Sequence, residues 1–580
     1  MGAGNDLGLR CSVGDPQTSV RGSARPRLYP RATADATASP ARSRSARQTE
    51  AARGGMIRHL RSRRAERVGT IGVGIRWVPA TAVVTLLLAL AAPAAGAPQS
   101  LAQSAGPRLA YFVAPPGSVA GGCSDGRTLA QAGSARTPWC SVDKAAAAAP
   151  AGATVYVRGG KYEHLTTKNK CRSNWVTFRP YPHETVTLDG ANGGTDDSHG
   201  AWELVNDCYI HIKGFNLTDR FFLDGNQSHI DIDGNYVHSK DSNPSAKSGS
   251  ANLTVSGIAT RCSGPRCSTG QTDITIRNNR FEHIAYNCLG TGSDPNGCDS
   301  NDNDPWGYGY CIRPWRDVRN LVITKNRING CWEDAIQGVG SGTVISLNNI
   351  SNVCCGASGH QDGIQIFSAS TSDTTIIRNN FHGDMPTCMR IQSGVRTHFT
   401  IVDNICAGNV SGRCLDLEDF HDSLVAYNTC GTTRYGSDIE DDPKVPGSPT
   451  NLIVENNIFG DAIKGSSMSV DSSVAFTYRY NIITDPADHD GCRPGCIKRR
   501  QPRFMHPQGG VDMRLRPDSI GIDVGIDDIV KVDIRGRGRA FDYPRRRNRG
   551  QGARPYSDIG AYELQKKHKK HKKHKKHRTG

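Results

Sequence analysis

The stretch TIIRNNFHGDMPTCMRIQSGVRTHFTIVDNICAGNVSGRCLDLEDFHDSLVAYN, residues 375–428, decides how this chain folds. It holds three six-residue phrases, TIIRNN, FTIVDN and SLVAYN, which end at Asn380, Asn404 and Asn428, 24 residues apart. Each phrase alternates apolar and polar residues as a strand does, and then ends in asparagine, a residue that favours turns. One such strand and turn cannot bury its own apolar face, so repeated units must stack on one another.

The phrase recurs outside this stretch. Six further copies, IDIDGN, ITIRNN, LVITKN, VISLNN, LIVENN and FTYRYN, end at Asn235, Asn279, Asn326, Asn349, Asn457 and Asn481. A unit of about 22 to 24 residues explains the short gaps, and longer gaps are two units or one unit with an inserted loop. This period is too short for two helices and too rich in β-branched residues for a helical repeat. We predict a solenoid of parallel strands in which the asparagines form a ladder, each in a turn that tolerates a left-handed backbone.

A second strand phrase lies between the turns, at 311–313, 335–337, 363–365, 388–390 and 414–416. With these phrases, the opening AYFVAPPGS, the segment TPWCSVDKAAAAAPAGATVYVRGGKYEHL and the closing SDIGAYEL, the chain resembles the right-handed parallel β-helix proteins. That group includes pectate lyases, polygalacturonases, alginate-active enzymes and some adhesion proteins. The resemblance implies an all-β, right-handed parallel β-helix over 109–564, with a short N-terminal capping helix. It does not imply one activity, because one fold hosts many chemistries.

The N-terminal 108 residues differ in composition from the repeats. Residues 1–55 are rich in Arg, Ala and Ser and patternless, so we expect a disordered or untranslated extension, with Met56 as a second candidate start. Residues 56–97 are arranged as in a secretory signal peptide: basic residues come first, then a short apolar run, then small residues at the cleavage site. A linker follows at 98–108. We therefore expect a secreted or cell-surface protein; a retained N-terminal anchor is the alternative.

Positive charge is concentrated at the two ends of the chain. Of the net charge of +16, residues 1–98 carry +10 and the Lys/His-rich tail at 565–580 carries +9, which leaves −3 for the residues between them. A nearly neutral body disfavours a basic nucleic-acid cleft. The tail has no apolar residue, so we expect it to be disordered and to attract anionic cell-wall or surface polymers. A tail without a partner is the alternative.

Cysteine content agrees with export, since 18 of the 19 cysteines follow the predicted signal peptide and exported proteins retain disulfide bonds. The sequence contains no CxxC pair with matching His spacing, so it does not indicate a metal site in place of disulfide bonds. Equivalent positions in adjacent coils predict the pairs Cys406–Cys430, Cys388–Cys414 and Cys331–Cys354. Sequence proximity predicts Cys123–Cys140, Cys171–Cys208, Cys262–Cys267, Cys288–Cys298 and Cys492–Cys496, with Cys311 and Cys355 left over.

Outward side chains of the second strand phrase form two predicted columns that repeat in every coil. The first comprises Arg313, Gln337, Gln365, Arg390 and Asp416; the second comprises Trp315, Val339, Phe367, Gln392 and Glu418. Amides and guanidinium groups bind hydroxyls or carboxylates, and aromatic faces pack on sugar rings. We therefore expect a groove that binds a polysaccharide, in particular an acidic one. A solvated polar face is the alternative.

The phrases WEDAIQ (332–337) and HQDGIQ (360–365) suggest a catalytic centre in consecutive coils. Asp334 and Asp362 should stack one coil apart, and two close carboxylates give one acid and one base. His360 is a natural general base because its pKa lies near working pH. The two carboxylates are equally suited to binding Ca²⁺ or to bonding turn backbone.

Two enzymatic readings of this groove remain open. A lyase would hold a uronate carboxylate on Arg313 and Arg390, whose guanidinium groups bind it in two-point fashion. A glycoside hydrolase would use the carboxyl groups as acid and base. A non-catalytic adhesion or structural protein of the same fold competes with both, and we expect a monomer in each case.

The acidic insertion at 291–310 is a candidate Ca²⁺ site. Asp294, Asp299 and Asp302 supply hard oxygen ligands, although the spacing is not that of an EF-hand. A polar loop without metal is the alternative. Ca²⁺ is the one cofactor that the sequence suggests.

Overall fold

The computed structural model describes residues 109–565 except for the gaps 191–199, 239–254, 263–266, 268, 285–308, 315–317, 332, 354–360, 368–369, 442–448, 465, 472–473, 487–491, 508–509, 511, 528, 540, 545 and 553–556. The predicted extension, signal peptide, linker and basic tail lie outside the described residues. Most described strands belong to three long sheets in which neighbouring strands run parallel.

The three sheets are defined by their strands. Sheet 1 comprises Ala110–Val113, Thr154–Val157, Cys171–Pro180, Cys208–Lys213, Ser228–Asp233, Gln271–Arg277, Val318–Arg319, Val322–Thr324, Val344–Ser346, Thr375–Ile377, Thr400–Val402, Leu424–Ala426, Leu452–Glu455 and Phe476–Arg479. Sheet 2 comprises Gly160–Glu163, Val186–Asp189, Asn216–Leu217, Tyr236–His238, Arg280–Ile284, Arg327–Cys331, Asn349–Val353, Asn380–His382, Ile405–Cys406, Thr429–Cys430, Ile458–Phe459, Ile482–Ile483 and Ile497–Lys498. Sheet 3 comprises Leu165–Lys168, Trp202–Val205, Phe221–Asp224, Val255–Arg261, Gly309–Arg313, Ile336–Gln337, Asp362–Phe367, Thr387–Gln392, Leu415–Glu418, Ser437–Glu440 and Met468–Val470.

Short strands complete the fold. One small parallel sheet joins Thr371–Ser372, Arg396–Thr397 and Phe420–His421, and another joins Asp384–Met385 and Asn409–Val410. Near the C-terminus, Phe504–His506 pairs antiparallel with Asp512–Leu515, and Ile526–Asp527 pairs parallel with Gln551–Gly552.

The path of one coil shows how the sheets are wound. The chain runs through Thr400–Val402 in sheet 1, Ile405–Cys406 in sheet 2 and Leu415–Glu418 in sheet 3. It then returns to sheet 1 at Leu424–Ala426, whose register partner is Thr400–Val402. Parallel strands joined by such crossovers wind right-handed. The predicted right-handed parallel β-helix is confirmed.

Inward side chains of each coil stack into one continuous core. Ile376, Ile401 and Val425, for example, are register partners in successive coils and are fully buried. At the N-terminal end, helices α1 (Leu129–Ala132) and α2 (Val142–Ala148) adjoin this core, and α2 buries its apolar face there. The predicted capping helix is therefore confirmed.

The predicted asparagine ladder exists in the turn between sheets 1 and 2. Its members are Asn235, Asn279, Asn326, Asn348, Asn379, Asn404, Asn428, Asn457 and Asn481, and all of them are buried. At Asn404, Nδ2 donates to the carbonyl of Ile376 at 2.9 Å and to Oδ1 of Asn428 at 3.0 Å. Its own Oδ1 accepts from the backbone N–H and the Nδ2 of Asn379 at 2.9 and 3.0 Å.

Two details of the predicted ladder are wrong. Asn348 and Asn379, rather than Asn349 and Asn380, are its members, because the ladder asparagine lies three residues after the buried strand residue Ile345 or Ile376. The left-handed backbone also belongs to the residue before the ladder asparagine, as at Asp403 with φ 57°. The turn therefore places its strain one residue earlier and leaves the amide free to bond.

Disulfide bonds lie mainly inside single coils. The predicted pairs Cys123–Cys140, Cys171–Cys208, Cys262–Cys267 and Cys492–Cys496 are confirmed. The predictions for Cys388, Cys406, Cys414, Cys430, Cys311 and Cys331 are wrong, because these cysteines form Cys388–Cys406, Cys414–Cys430 and Cys311–Cys331. These cysteine side chains are buried, so each one bonds across the interior of its own coil, between sheets 3 and 2, and not to the equivalent cysteine of the next coil.

The remaining predicted cysteine partners, Cys288, Cys298, Cys354 and Cys355, lie outside the described residues. The seven disulfide bonds in the described part indicate a protein that folds in an oxidising compartment. Among the described residues, no helix has the length and apolar character needed to span a bilayer.

After the last coil the chain folds back along the ladder side. Val530 packs in an apolar cluster with Ile377, Val402 and Tyr427. Arg539 is fully buried there, with its guanidinium bonded to Asp403 and 3.9 Å from the ring centroid of Tyr427. This C-terminal segment covers the turn between sheets 1 and 2 and leaves sheet 3 as the face with the varied polar side chains.

Candidate functional site

The first predicted column forms a single row along sheet 3, which we call the outer row. Gln337 pairs in register with Gln365, Gln365 with Arg390, and Arg390 with Asp416. Arg313 follows Ile312, the partner of Ile336, and so begins the row. The row continues past the predicted residues to Asp438 and then to Ser469.

The outer row is more enclosed than an open groove. Alternate residues such as Ile336 and Leu415 point into the core, so the row points away from it. Gln337 and Gln365 are nevertheless buried, and Nε2 of Gln337 donates to Oε1 of Gln365 at 3.0 Å. Arg390 keeps about a quarter of its side chain exposed. Solvent therefore reaches the row mainly at Arg390 and the neighbouring Arg413, whereas Asp416 and Asp438 are as buried as the two glutamines.

Asp334 and Asp362 lie one coil apart and are linked directly. The backbone N–H of Asp362 donates to Oδ1 of Asp334 at 2.8 Å. Gln337 Nε2 donates to Oδ2 of Asp334 at 3.0 Å, and Gln365 Nε2 donates to Oδ2 of Asp362 at 3.2 Å. Both aspartates are almost fully buried, so they hold the two amides of the outer row in place.

Burial raises the pKa of both aspartates. For Asp334, burial and then the neighbouring Asp362 raise the pKa well above its usual range. For Asp362, burial raises the pKa to about 7 although the Arg390 guanidinium lowers it. This pair therefore retains a proton close to neutral pH.

A third acid, Glu333, adjoins the start of the outer row. Burial raises its pKa to about 7, while a hydrogen bond with the Tyr310 hydroxyl and the charge of Arg313 lower it. Arg313 stacks over the Tyr310 ring, with its guanidinium carbon 4.6 Å from the ring centroid. Oε2 of Glu333 is buried and bonds to no described residue.

The acidic end of the row contains two carboxyl groups that share an arginine. Arg413 contacts Oδ2 of Asp416 through NH1 at 3.3 Å and Oδ2 of Asp438 through NH2 at 3.0 Å. Arg390 Nε lies 3.4 Å from the same oxygen of Asp416. Burial, and then a hydrogen bond with Glu440, raise the pKa of Asp438 to about 7.

The second predicted column is interrupted. Phe367 pairs with Gln392, and Glu418 pairs with Glu440 in the next coil. The prediction that Val339 points outward is wrong, because Gly338 adopts φ 74°, ends the strand and lets Val339 turn into the core. Phe367 is 37% exposed, and Oε2 of Glu418 accepts the backbone N–H of Ser393 at 2.9 Å.

Several predicted site residues fall in the gaps of the structure. His360 and Trp315 lie outside the described residues, as do the predicted calcium ligands Asp294, Asp299 and Asp302. Within the described ranges, no group of three or more His, Cys, Asp or Glu side chains is arranged to hold a metal ion.

Sequence reasoning missed Arg413, Asp438 and Glu440. The signal was available: SDIE at 437–440 repeats the spacing of LDLE at 415–418, 22 residues later, which is one coil. Arg413 lies three residues before Asp416, as Asp334 lies three before Gln337.

The described part of the site is rich in acids. Its carboxyl groups belong to Glu333, Asp334, Asp362, Asp416, Glu418, Asp438 and Glu440, and its guanidinium groups belong to Arg313, Arg390 and Arg413. Two of the three arginines already contact carboxylates of the row. Such a site has protons to donate and little spare positive charge.

No protein-family profile and no curated protein sequence matches this chain. Solved structures with a similar fold include XylC in complex with xylose, with a TM-score of 0.45, 11% identity and coverage of 68% of this chain and 87% of that chain. Pectate lyase Pel9A has a TM-score of 0.40, 13% identity and coverage of 79% and 96%. The Streptococcus pneumoniae surface protein and adhesin PfbA has a TM-score of 0.38, 13% identity and coverage of 58% and 94%. These values carry no argument about activity.

Proposed function

We propose that this chain is a polysaccharide-degrading enzyme, a glycoside hydrolase, with Asp438 as general acid and Asp416 as its partner carboxylate. The observation that carries the proposal is the pair of adjacent carboxyl groups bridged by Arg413. Asp438 retains a proton up to about pH 7, whereas Asp416 faces two guanidinium groups. One group is thus prepared to give a proton and the other to oppose positive charge.

Cleavage of a glycosidic bond requires these two roles. Asp438 would protonate the leaving oxygen, and Asp416 would attack or stabilise the carbon that becomes positively charged. The two aspartates are register neighbours, so their backbones lie about 4.8 Å apart.

Exposed aromatic rings on both sides of the acidic pair support a sugar ligand. Phe367 is 37% exposed and Tyr435 is 44% exposed. Phe367 lies two coils before Asp416, and Tyr435 lies three residues before Asp438 in the same coil. Aromatic faces at these places would pack against successive sugar rings of one chain.

Charge favours hydrolysis over elimination. A lyase would need free guanidinium groups to hold a uronate carboxylate, but Arg390 and Arg413 already contact Asp416 and Asp438. The predicted acidic substrate remains a prediction; the balance of the described site favours a neutral polysaccharide. We assign Asp334 and Asp362 to positioning the outer row, because their carboxylate oxygens accept hydrogen bonds from the amides of Gln337 and Gln365.

The test is a substrate panel of xylan, β-glucan, galactomannan, polygalacturonate and alginate, followed by reducing-end and ultraviolet assays. We expect new reducing ends without the absorbance of unsaturated products. Asp438→Asn and Asp416→Asn should each lower kcat by about 10³-fold or more. Ser469→Ala is the matched control, because Ser469 occupies the next position of the same row and is exposed.

Three outcomes would contradict the proposal. Unsaturated products mean a lyase. Retention on polymer without cleavage means an adhesin. Full activity in Asp438→Asn means that the acid lies elsewhere.

Two further parts of the proposal concern residues outside the described ranges. We propose that the protein is exported, which the disulfide bonds support, and that the tail at 565–580 attaches it to an anionic polymer. Ca²⁺ bound by Asp294, Asp299 and Asp302 remains a proposal as well. Chelator should lower thermal stability if this ion is present and leave it unchanged if it is not.

A further inference from the structure

A bulge in sheet 1 presents one tryptophan to solvent, away from the outer row of sheet 3. In the strand Cys171–Pro180, Cys171 pairs with Cys208 and Val176 pairs with Ile210 of the next coil. Five residue steps on the first strand therefore match two on the second, so the first strand contains three extra residues. Trp175 lies on this bulge and is 36% exposed. Bulges of this kind re-aim a side chain and are common beside functional sites.

The bulge is firmly held at its start. The disulfide bond Cys171–Cys208 joins it to the next coil. Arg172 turns back beneath it, and its Nε donates to the carbonyl of Ala149 at 3.2 Å, just past the end of helix α2. Trp175 is therefore presented on a rigid support, which lowers the entropy lost when a ligand binds.

Two aromatic rings of the following coils back the tryptophan. The rings of Tyr209 and His229 stack with their centroids 4.2 Å apart. The Trp175 ring contacts both edge-on: its interplanar angle is 78° with Tyr209, at a centroid separation of 5.7 Å, and 70° with His229, at 6.4 Å. Tyr209 has φ 59°, a left-handed conformation that is costly for a bulky residue. The same left-handed conformation recurs at the equivalent positions His229 and Asp273 of the next two coils, so it belongs to the turn within each of these strands.

Hydrogen-bonding side chains continue from the aromatic rings along the same sheet. Nε2 of His211 is buried and lies 3.6 Å from carboxylate oxygens of Asp231 and Asp233, so the side chains that reach solvent here are Lys213 and Arg277. Lys213 contacts Asp233 at 2.9 Å, and Arg277 contacts Asp231 at 2.7 Å. Two cations and two carboxylates give a balanced surface that suits sugar hydroxyls and offers no net charge to an ion.

We propose that Trp175, Tyr209, His211 and His229 form a second, non-catalytic binding site for a pyranose ring of a neutral polysaccharide. The Trp175 ring would stack on the ring face of the sugar, and the polar side chains would bind its hydroxyls. The site lies on sheet 1 and the hydrolytic centre on sheet 3, so it holds the polymer by a surface that does not cut it. The inference does not depend on the proposed hydrolytic activity.

The test is affinity electrophoresis of the full chain in native gels that contain β-glucan, xylan or galactomannan. The Asp438→Asn background prevents loss of the polymer by cleavage. At least one neutral polymer should retard the protein, and Trp175→Ala should weaken the apparent affinity by roughly tenfold or more. Trp175→Phe should restore part of the affinity. Ile463→Ala is the matched control, because Ile463 is an exposed apolar residue in another part of the surface.

Equal retardation of Trp175→Ala and Ile463→Ala overturns the proposal, as does retardation by polygalacturonate alone or by no polymer. A melting temperature for Trp175→Ala equal to that of the parent protein excludes a folding defect. In the active background, Trp175→Ala should cleave short soluble oligosaccharides at the parental rate. Failure of hydrolysis and failure of this binding site are thus separate observations.

Discussion

The asparagine ladder and the outer row of sheet 3 occupy equivalent geometry but behave oppositely. Both present one residue per coil to the coil above. The ladder repeats asparagine, and each amide satisfies the N–H and carbonyl groups beside it. The outer row contains arginine, glutamine, aspartate and serine, and it leaves buried polar atoms such as Oδ1 of Asp416 without a bond among the described residues.

The difference teaches how to read a solenoid. A position that repeats one residue satisfies the backbone and stabilises the stack, as the ladder does. A position that accumulates acids and arginines carries the desolvation cost of burying charged groups, and it satisfies no backbone group in exchange. Groups perturbed in this way are typical of functional sites.

The largest effect should come from the outer row and appear in activity alone. Asp438→Asn should lower kcat by about 10³-fold, roughly 4 kcal/mol of barrier, because the acid is lost. Its free energy of unfolding should stay equal or rise near neutral pH, because burial disfavours the charged form of Asp438 in the folded state. A large loss of stability without loss of turnover would reverse the contrast.

The interior disulfide bonds should come next. Replacing both members of Cys388–Cys406 by alanine should lower the free energy of unfolding by about 3 kcal/mol, since the bond closes an 18-residue separation. Replacing Cys492–Cys496, with a separation of 4, should cost less. Denaturant melts check this order, and peptide mapping that finds Cys388 bonded to Cys414 would contradict the pairing across the interior.

The ladder should produce a somewhat smaller loss of stability. Asn404→Ala should lower the free energy of unfolding by about 2 kcal/mol, because buried N–H and carbonyl groups lose their partner. Asn380→Ala is the matched control, since its exposed amide makes one bond of 3.4 Å, and it should cost less than about 0.5 kcal/mol. Equal losses for the two variants would show that the ladder register is wrong.

A separate effect should appear as a change in the pH dependence of stability. The folded pKa of Asp438 is about 7, above the usual value of 3.8, so only the folded state keeps this proton between these values. Its contribution to stability therefore falls as pH rises from about 4 to 7. The free energy of unfolding of Asp438→Asn should rise relative to that of the parent protein between about pH 4 and 7, and this difference should stay constant above about pH 7. A difference that is flat with pH would contradict the raised pKa.

The fold could be predicted from the sequence because the same pattern of apolar residues and asparagine recurs in successive coils. The alternation around Ile401 and Val425 and the recurring asparagine both report the same stacking. It failed where a coil carries a local irregularity. The doubled asparagines hid the register at Asn348 and Asn379, and Gly338 turned Val339 inward.

The site was partly accessible for the same reason. The row from Arg313 to Asp416 follows from the spacing alone, and the structure has it in register. Whether an outward side chain is buried, bonded or charged depends on its neighbours, which spacing does not report. The disulfide pairing failed likewise, because Cys388 and Cys414 have equivalent positions but point into the interior rather than at each other.

The most direct test measures melting temperature and turnover side by side for Asp438→Asn and Asn404→Ala. We expect Asp438→Asn to melt no lower than the parent protein and to have almost no turnover of polysaccharide, while Asn404→Ala melts lower and keeps its kcat below the transition. If Asp438→Asn destabilises the chain and leaves turnover intact, the outer row is a structural feature and the proposed active site is refuted.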